Sequence, residues 1–221
     1  MDTFDRNATV FVVDGDIGTS ESVASMVRLM GLNAKVFETG EDFLTGGNHH
    51  HAGCVISDLR LCGMSGTSLL AAIRADGSQM PFILMTAFAD VKAAVNIMAR
   101  GAMTVIEKPF RDQSLWDHIV RALQQDRDQR VLSSRRTLLM ARIQDLSDEE
   151  RGILAMMVSD HPNKMISSRL QISLRTVDHR KAQILAKLGM RNLKSLIWHL
   201  GGIGWPAEKL KGSEPALKAM P

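Results

Sequence analysis

The chain of 221 residues contains no tyrosine, so no mechanism that moves a tyrosine ring applies to it. No apolar run approaches the roughly 20 residues that a membrane-spanning helix needs, so we expect no such helix. The first residues lack the basic start and the apolar stretch of a signal peptide, so we expect a cytoplasmic location. The two cysteines, Cys54 and Cys62, lack metal-ligand spacing and are predicted to be reduced thiols associated with the core.

Charge is divided unevenly along the chain. Residues 1–125 contain 10 Lys and Arg against 14 Asp and Glu, a net charge of −4. Residues 126–221 contain 17 against 10, a net charge of +7. A basic second half indicates an anionic partner for that half alone, most often nucleic acid. The length also fits two domains of modest size.

The first half alternates short apolar runs with amphipathic segments. Five runs have the length of buried strands, at 9–13, 34–37, 54–57, 82–85 and 103–106. Helical patterns follow them at 20–30, 40–44, 68–75, 91–100 and 113–123. Five strands that alternate with five helices predict an α/β doubly wound, five-stranded parallel sheet.

Polar side chains stand at or just past the ends of four predicted strands. Asp14 and Asp16 follow the first strand, Asp58 the third, Thr86 the fourth and Lys108 the fifth. Ligands of such sheets bind at the carboxyl ends of the strands. Carboxylates, a hydroxyl and an ammonium at one edge therefore predict a site for a divalent cation and a phosphoryl group.

Three segments at these strand ends resemble a known family. SDLRLCGMSG around Asp58, ILMTAF around Thr86 and EKPF around Lys108 look like the receiver domain of two-component response regulators. The resemblance covers about residues 8–123 and implies the flavodoxin-like receiver fold. It also implies that Asp58 accepts a phosphoryl group from a histidine kinase with Mg²⁺ bridging the charges, and that Lys108 and Thr86 bind the phosphoryl oxygens.

Gly15 departs from the receiver pattern. The first strand of receivers ends in two adjacent acids; Asp14 matches the first, and Gly15 stands where the second, a direct Mg²⁺ ligand, belongs. The expected ligands that remain are Asp14, Asp58 and the backbone carbonyl of Arg60, so we expect a weakened Mg²⁺ site. Asp16 offers an alternative ligand if the glycine lets the turn swing its carboxylate inward, and is otherwise a solvated acid near a helix N-terminus.

Val105 is the second departure, because the fifth strand of receivers usually carries phenylalanine or tyrosine at this position. A valine has no ring to turn inward, so the usual link from Thr86 to the outer face of the fourth helix and fifth strand is expected to be weak. This leaves open a phosphorylation-independent DNA-binding regulator whose receiver serves dimerisation. A phosphatase with Asp58 as nucleophile is disfavoured, because Arg60 stands where such an enzyme needs a second acid.

Three consecutive histidines, His49, His50 and His51, precede the third predicted strand. Three such residues can bind a metal ion, but nothing near them in the sequence supplies a fixed geometry. We therefore predict a solvated polar loop at this position.

The second half shows helical patterns only. Residues 126–144 are mostly charged or polar and predict a helical linker, after which Ser147 and Glu150 form a capping box. Further helices are predicted at 164–170, 174–188 and 193–199, with Ser173 capping the second of them. Several short helices with positive charge predict an all-α helix-turn-helix module that binds DNA.

The helix predicted at 174–188 has two distinct faces. At about 100° per residue, Val177, Ile184 and Leu188 line one face, while Arg175 and His179 lie on the opposite face. We predict that the outward face reads bases and that flanking basic residues contact phosphates. The predicted DNA-binding residues are Lys164, Arg175, Thr176, Asp178, His179, Arg180, Lys181 and Gln183.

The segments LSDEE, PNKMIS, ISLRTVD and LAKLG resemble the LuxR-type, or GerE-type, DNA-binding domain over about residues 146–201. A receiver followed by this domain is the architecture of NarL/FixJ response regulators. The resemblance implies a DNA-binding transcriptional regulator, not an enzyme, that is controlled by phosphorylation of Asp58 and binds two DNA half-sites as a homodimer. The predicted parts are a receiver at 1–125, a linker at 126–144, a LuxR-type domain at 145–204 and a tail at 205–221.

Overall fold

The computed structural model describes residues 7–87 and 90–201 and divides the chain into two compact units between Val131 and Leu132. The predicted tail at 205–221 lies outside the described residues. Within the described ranges, no helix is both long and apolar enough to cross a membrane. The boundaries predicted at residues 125, 144 and 204 remain predictions.

The first unit is a parallel sheet with a helix after each strand, which confirms the predicted doubly wound fold. Its strands are β1 (Thr9–Val13), β2 (Asn33–Phe37), β3 (Gly53–Asp58), β4 (Phe82–Thr86) and β5 (Thr104–Glu107), in the order β2-β1-β3-β4-β5. Its helices are α1 (Ile17–Leu29), α2 (Gly40–Thr45), α3 (Gly66–Ala75), α4 (Val91–Ala99) and the start of α5 (Asp112–Gln144). A short 3-10 helix, Asn48–His50, precedes β3.

Alternation along the strands gives the sheet two apolar faces. Val10 and Val12 of β1 pack in one core with residues of α1 and α5, whereas Phe11 and Val13 pack in a second core with residues of α2, α3 and α4. Successive side chains of a strand point to opposite faces, so an uninterrupted apolar run covers both. Burial on both faces is what a parallel sheet requires.

The last helix of the sheet unit is longer than predicted. α5 does not end at residue 123 but continues to Gln144, and so includes the whole predicted linker. Residues 124–137 contain neither glycine nor proline, so nothing in this charged segment interrupts a helix. Near its end, Leu139 and Ile143 belong to the core of the second unit.

The second unit contains α6 (Asp148–Val158), α7 (Asn163–Leu170), α8 (Leu174–Leu188) and α9 (Leu193–Gly201). The predicted capping box is confirmed, because the Ser147 hydroxyl accepts from the Glu150 amide at 3.2 Å and the Glu150 carboxylate accepts from the Ser147 amide at 3.0 Å. The Ser173 hydroxyl caps α8 by accepting from the Thr176 amide at 3.1 Å.

The two cysteines have different environments. Cys54 lies fully buried in β3, where burial raises the pKa of its thiol well above the ordinary value and the charge of Asp126 adds to the effect. Cys62 is exposed, so the prediction that both thiols belong to the core was wrong for this residue. Its position beyond the end of β3, in the loop before α3, places it outside the sheet's apolar faces.

Candidate functional site

Four strand ends bring the predicted acidic and basic residues together at one edge of the sheet. Asp58 and Thr86 are the last residues of β3 and β4, and Asp14 and Lys108 directly follow β1 and β5. The strands end at the same level, since Asp58 pairs with Met85 and the Lys108 amide donates to the Thr86 carbonyl at 2.7 Å. The parallel register therefore assembles residues separated by up to 94 positions in sequence.

The Lys108 ammonium joins the two carboxylates. Its Nζ lies 2.8 Å from Asp14 Oδ2 and 2.7 Å from Asp58 Oδ1. The side chains of Asp14 and Asp58 are only 4% and 13% exposed. Burial alone would lower the pKa of Lys108, but the hydrogen bonds and charges of the two carboxylates outweigh it and raise that pKa. Two carboxylates against one ammonium leave a formal charge of −1, which favours a further cation.

Backbone amides hold the other oxygens of both carboxylates. The Asp16 amide donates to Asp14 Oδ1 at 2.9 Å, and the Arg60 amide donates to Asp58 Oδ2 at 2.7 Å. The buried Thr86 lies at the neighbouring strand end. Charge-assisted hydrogen bonds of this kind fix a carboxylate in one orientation. The Asp58 carboxylate is thus held in one orientation beside an ammonium, an arrangement that suits attack by a carboxylate oxygen on an anionic group.

Asp16 lies at the N-cap position of α1. Its carboxylate caps α1, accepting from the Thr19 hydroxyl at 2.6 Å and from the Gly18 amide at 3.1 Å. These two hydrogen bonds lower the pKa of Asp16, the Thr19 contact most strongly. Both oxygens are therefore held at the helix N-terminus, and Asp16 does not join the two carboxylates that Lys108 contacts.

Gly15 leaves open space at the position of the missing acid. A Cβ atom at this residue would lie 3.9 Å from both Cys62 Sγ and the Glu38 carbonyl, which is ordinary van der Waals distance. A Cβ atom can therefore be introduced here without displacing a neighbour. Val105 is half-buried on β5 and packs against the core on the α3 side of the sheet.

The outward face of α8 is exposed as the spacing predicts. Arg175, Asp178, His179 and Gln183 are exposed, as is Lys164 on α7. The opposite face, formed by Val177, Ile184 and Leu188, is buried in the core of the unit. A helix with one buried face and one polar, solvent-accessible face after a tight turn can enter a major groove.

Three other predicted DNA-binding residues make contacts within the unit. Arg180 forms an ion pair with Glu149 of α6, and Lys181 Nζ donates to Asn163 Oδ1 at 2.8 Å. The Thr176 and Ser173 hydroxyls lie 2.8 Å apart. Sequence reasoning missed the contact partners on α6 and α7, because pairs 18 to 31 positions apart leave no periodic signal.

The histidine run is more ordered than predicted. His49 lies in the 3-10 helix and is buried, so the prediction of a solvated loop was wrong for this residue. Its ring Nε2 lies 2.6 Å from a carboxylate oxygen of Asp76, which compensates for the burial of a polar ring. Asp76 is 27 positions away in sequence and carried no signal that linked it to the histidines.

The sequence matches two known protein families. Residues 10–120 match the response regulator receiver domain, and residues 144–200 match the luxR family of bacterial regulatory proteins. The chain belongs to the response regulators. Receiver domains typically bind Mg²⁺ at the site of phosphorylation and take their signal from histidine kinases.

Similar proteins with assigned roles support this family. The C4-dicarboxylate transport transcriptional regulatory protein DctR of Rhodobacter capsulatus is 34% identical over 190 residues, covering 85% of this chain and 96% of that protein. The transcriptional regulatory protein FixJ of Rhizobium meliloti (strain 1021) is also 34% identical, covering 86% of this chain and 93% of that protein. The response regulator is therefore a DNA-binding transcription regulator with a LuxR-type domain, and it is not an enzyme.

Solved structures agree with that assignment. The structure of the response regulator StyR superposes with a TM-score of 0.74 at 30% identity. The match covers 89% of this chain and 99% of the StyR chain. Full-length FixJ from B. japonicum gives a TM-score of 0.55 at 28% identity, covering 91% and 100% of the two chains. These relatives set aside the phosphatase alternative and do not favour the phosphorylation-independent one.

Proposed function

We propose that Asp58 of this response regulator accepts a phosphoryl group from a histidine kinase and that this controls binding of a homodimer to two DNA half-sites. The observation that supports it best is the Lys108 ammonium, which contacts Asp14 and Asp58 at 2.8 and 2.7 Å. Attack of an Asp58 oxygen on phosphorus forms an acyl phosphate and breaks the bond from phosphorus to the kinase histidine. Lys108 and Thr86 would bind the transferred oxygens. Phosphoryl labelling of the chain and of Asp58→Asn tests this proposal.

The donor set fits Mg²⁺, with fewer ligands than receivers usually supply. Asp14, Asp58 and the backbone carbonyl of Arg60 would hold the ion, and all three offer the hard oxygen atoms that Mg²⁺ prefers. When bound, the ion neutralises charge on the carboxylates and the phosphoryl group. Because Gly15 contributes no side chain and Asp16 caps α1, we propose a weakened site.

The second unit carries the proposed DNA contacts. Arg175 and His179 are exposed at the outer face of α8, where base edges would lie, with Thr176, Asp178 and Gln183 beside them. Lys164, Arg180 and Lys181 would contact phosphates. Because a regulator works where the DNA is, we propose a cytoplasmic location.

Releasing Arg180 from its ion pair should strengthen DNA binding. In Glu149→Gln the guanidinium loses its partner and becomes available to a phosphate. Exposed ion pairs contribute about 0–1 kcal/mol, so we expect up to roughly a fivefold gain in affinity on any DNA sequence. Asp148→Asn is the matched control, since it removes the same charge from the same helix, while its partner Arg151 stays held by the Gln144 and Leu146 carbonyls. Equal gains from both variants, measured by fluorescence anisotropy, would show that only net charge matters.

Val105 should limit the response to phosphorylation. With no aromatic ring at this position of β5, a saturating phosphate analogue is expected to change dimerisation or DNA affinity by less than the roughly 1–3 kcal/mol common for allosteric coupling. Val105→Phe should enlarge the change. Analytical ultracentrifugation with and without the analogue measures it, and a larger shift in the unmodified chain would show that another element carries the signal.

A further inference from the structure

His49, His50 and Asp76 form a cluster on the other side of the receiver unit from Asp58. The two histidines lie in the 3-10 helix that precedes β3, and Asp76 directly follows α3, before β4. The cluster therefore lies at the amino-terminal ends of the strands, whereas Asp58 lies at a carboxyl-terminal end. None of the phosphorylation chemistry uses these three residues.

The three side chains present their ligand atoms to one another. Nε2 of His49 and Nε2 of His50 lie 2.6 and 2.9 Å from the same Oδ2 atom of Asp76. The three ligand atoms all lie within 4.8 Å of one another.

The segment that carries the histidines is held by contacts with three other parts of the receiver unit. The Ser78 hydroxyl donates to the His49 carbonyl at 2.6 Å, and the Arg130 guanidinium of α5 donates to the carbonyls of both His50 and His51. The buried Asn48 amide donates to a carbonyl of α2 at 2.8 Å. The backbone of this segment is therefore already ordered when a ligand arrives, which lowers the entropic cost of binding.

We infer that the His49–His50–Asp76 cluster binds a divalent transition-metal cation, with Zn²⁺ as the best chemical match. Two imidazole nitrogens and one carboxylate oxygen are a ligand set that Zn²⁺ accepts, and they leave a fourth position for water or an external ligand. Mg²⁺ prefers oxygen atoms alone, so the two sites select different ions. The side chains of His50 and Asp76 are 58% and 59% exposed, which lets the ion enter from solvent.

The affinity should be moderate. Nδ1 of His49 is buried and finds no hydrogen-bond partner among the residues that the structure describes. Metal-binding histidines normally donate this second N–H to an acceptor, and loss of that acceptor typically weakens binding by about 10–100-fold. A metal site of this kind stabilises the receiver unit by binding only the folded state.

Isothermal titration of the tag-free full chain with ZnCl₂ tests the inference. The parent protein should carry Cys62→Ser and Asp58→Asn and be kept in excess Mg²⁺, so that neither the exposed thiol nor the phosphorylation site competes. We expect one site, weakened tenfold or more by His50→Ala and by Asp76→Asn. Both positions are exposed, and circular dichroism checks that the variants fold.

His51→Ala is the matched control, because this neighbouring histidine is exposed and its side chain is not part of the cluster. It should change Zn²⁺ affinity by less than about twofold, within the usual effect of a surface substitution. Absorption of the Co²⁺ complex gives a second readout, and the visible bands should disappear in His50→Ala. Equal Zn²⁺ affinity in the parent and His50→Ala, or no binding by the parent, would overturn the inference.

Discussion

Asp58→Asn should abolish phosphoryl labelling of the response regulator, whereas Gly15→Asp should increase both Mg²⁺ affinity and the rate of labelling. The first change removes the carboxylate that ends β3 and contacts the Lys108 ammonium. The second restores the ligand that the receiver pattern contains at this position. Labelling with a small-molecule phosphoryl donor, across a Mg²⁺ series, measures both effects.

The size of the gain follows from charge and space. Unit charges about 4 Å apart interact by roughly 4 kcal/mol at an effective dielectric constant of about 20, and desolvation of the new carboxylate offsets part of this. We therefore expect Mg²⁺ to bind roughly tenfold to a hundredfold more tightly in Gly15→Asp. The new Cβ meets only Cys62 Sγ and the Glu38 carbonyl, each at 3.9 Å, so the fold has room for it.

Asp16→Ala is the control for this prediction. Because the carboxylate of Asp16 caps α1, its removal should weaken the first turn of that helix and leave Mg²⁺ affinity unchanged. A large loss of Mg²⁺ affinity in this variant would show that Asp16 replaces the missing acid. Tight Mg²⁺ binding by the unmodified chain that Asp16→Ala does not affect would contradict the weakened site altogether.

Arg175→Ala should cost about 1–3 kcal/mol of binding energy on the preferred DNA site and little on random DNA. Arg175 is exposed in the first turn of α8, the part of a recognition helix that contacts base edges. A guanidinium that binds a base bidentately distinguishes sequences, so its loss lowers affinity only where that base is present. Anisotropy titrations on both DNAs, over a range of salt concentrations, separate the two cases.

Lys164→Ala is the matched comparison for Arg175→Ala, since it removes one positive charge from an exposed position on α7. It should weaken binding to all sequences alike and reduce the salt slope by about one unit, because one fewer counterion is released. If Arg175→Ala instead weakens specific and random DNA equally, α8 does not read bases in the major groove.

Helices and strands that are marked by an apolar run or by capping residues were predicted well from the sequence. β1 and α8 have the predicted bounds. A buried apolar run defines β1, whereas α8 begins after a serine cap and ends at a glycine. Ser173 accepts the hydrogen bond of the first turn, and Gly189 takes the left-handed conformation with φ of 71° that terminates the helix. Asp14, Asp58 and Lys108 lie in contact, with Thr86 at the neighbouring strand end, because the parallel register is fixed once the strands are known.

Features that depend on distant contacts escaped prediction. His49 is buried with its ring Nε2 against Asp76 and its carbonyl bonded to Ser78, both on another part of the chain. The buried Asp126 accepts from the Gly53 amide at 2.9 Å and from Arg130, although its sequence neighbours are charged and polar like those of a solvated helix. The helix predicted at 113–123 is shorter than α5, because the apolar periodicity ends near residue 123 while helix-forming residues continue.

The most direct test of the proposed function locates the phosphoryl group itself. The chain is treated with a phosphoryl donor and Mg²⁺, the acyl phosphate is trapped by reductive chemistry, and the peptides are sequenced by mass spectrometry. We predict a single modified residue, Asp58, with labelling that depends on Mg²⁺ and is strongly reduced in Lys108→Ala. A label on any other residue, or labelling that persists in Asp58→Asn, would contradict the role that we assign to this edge of the sheet.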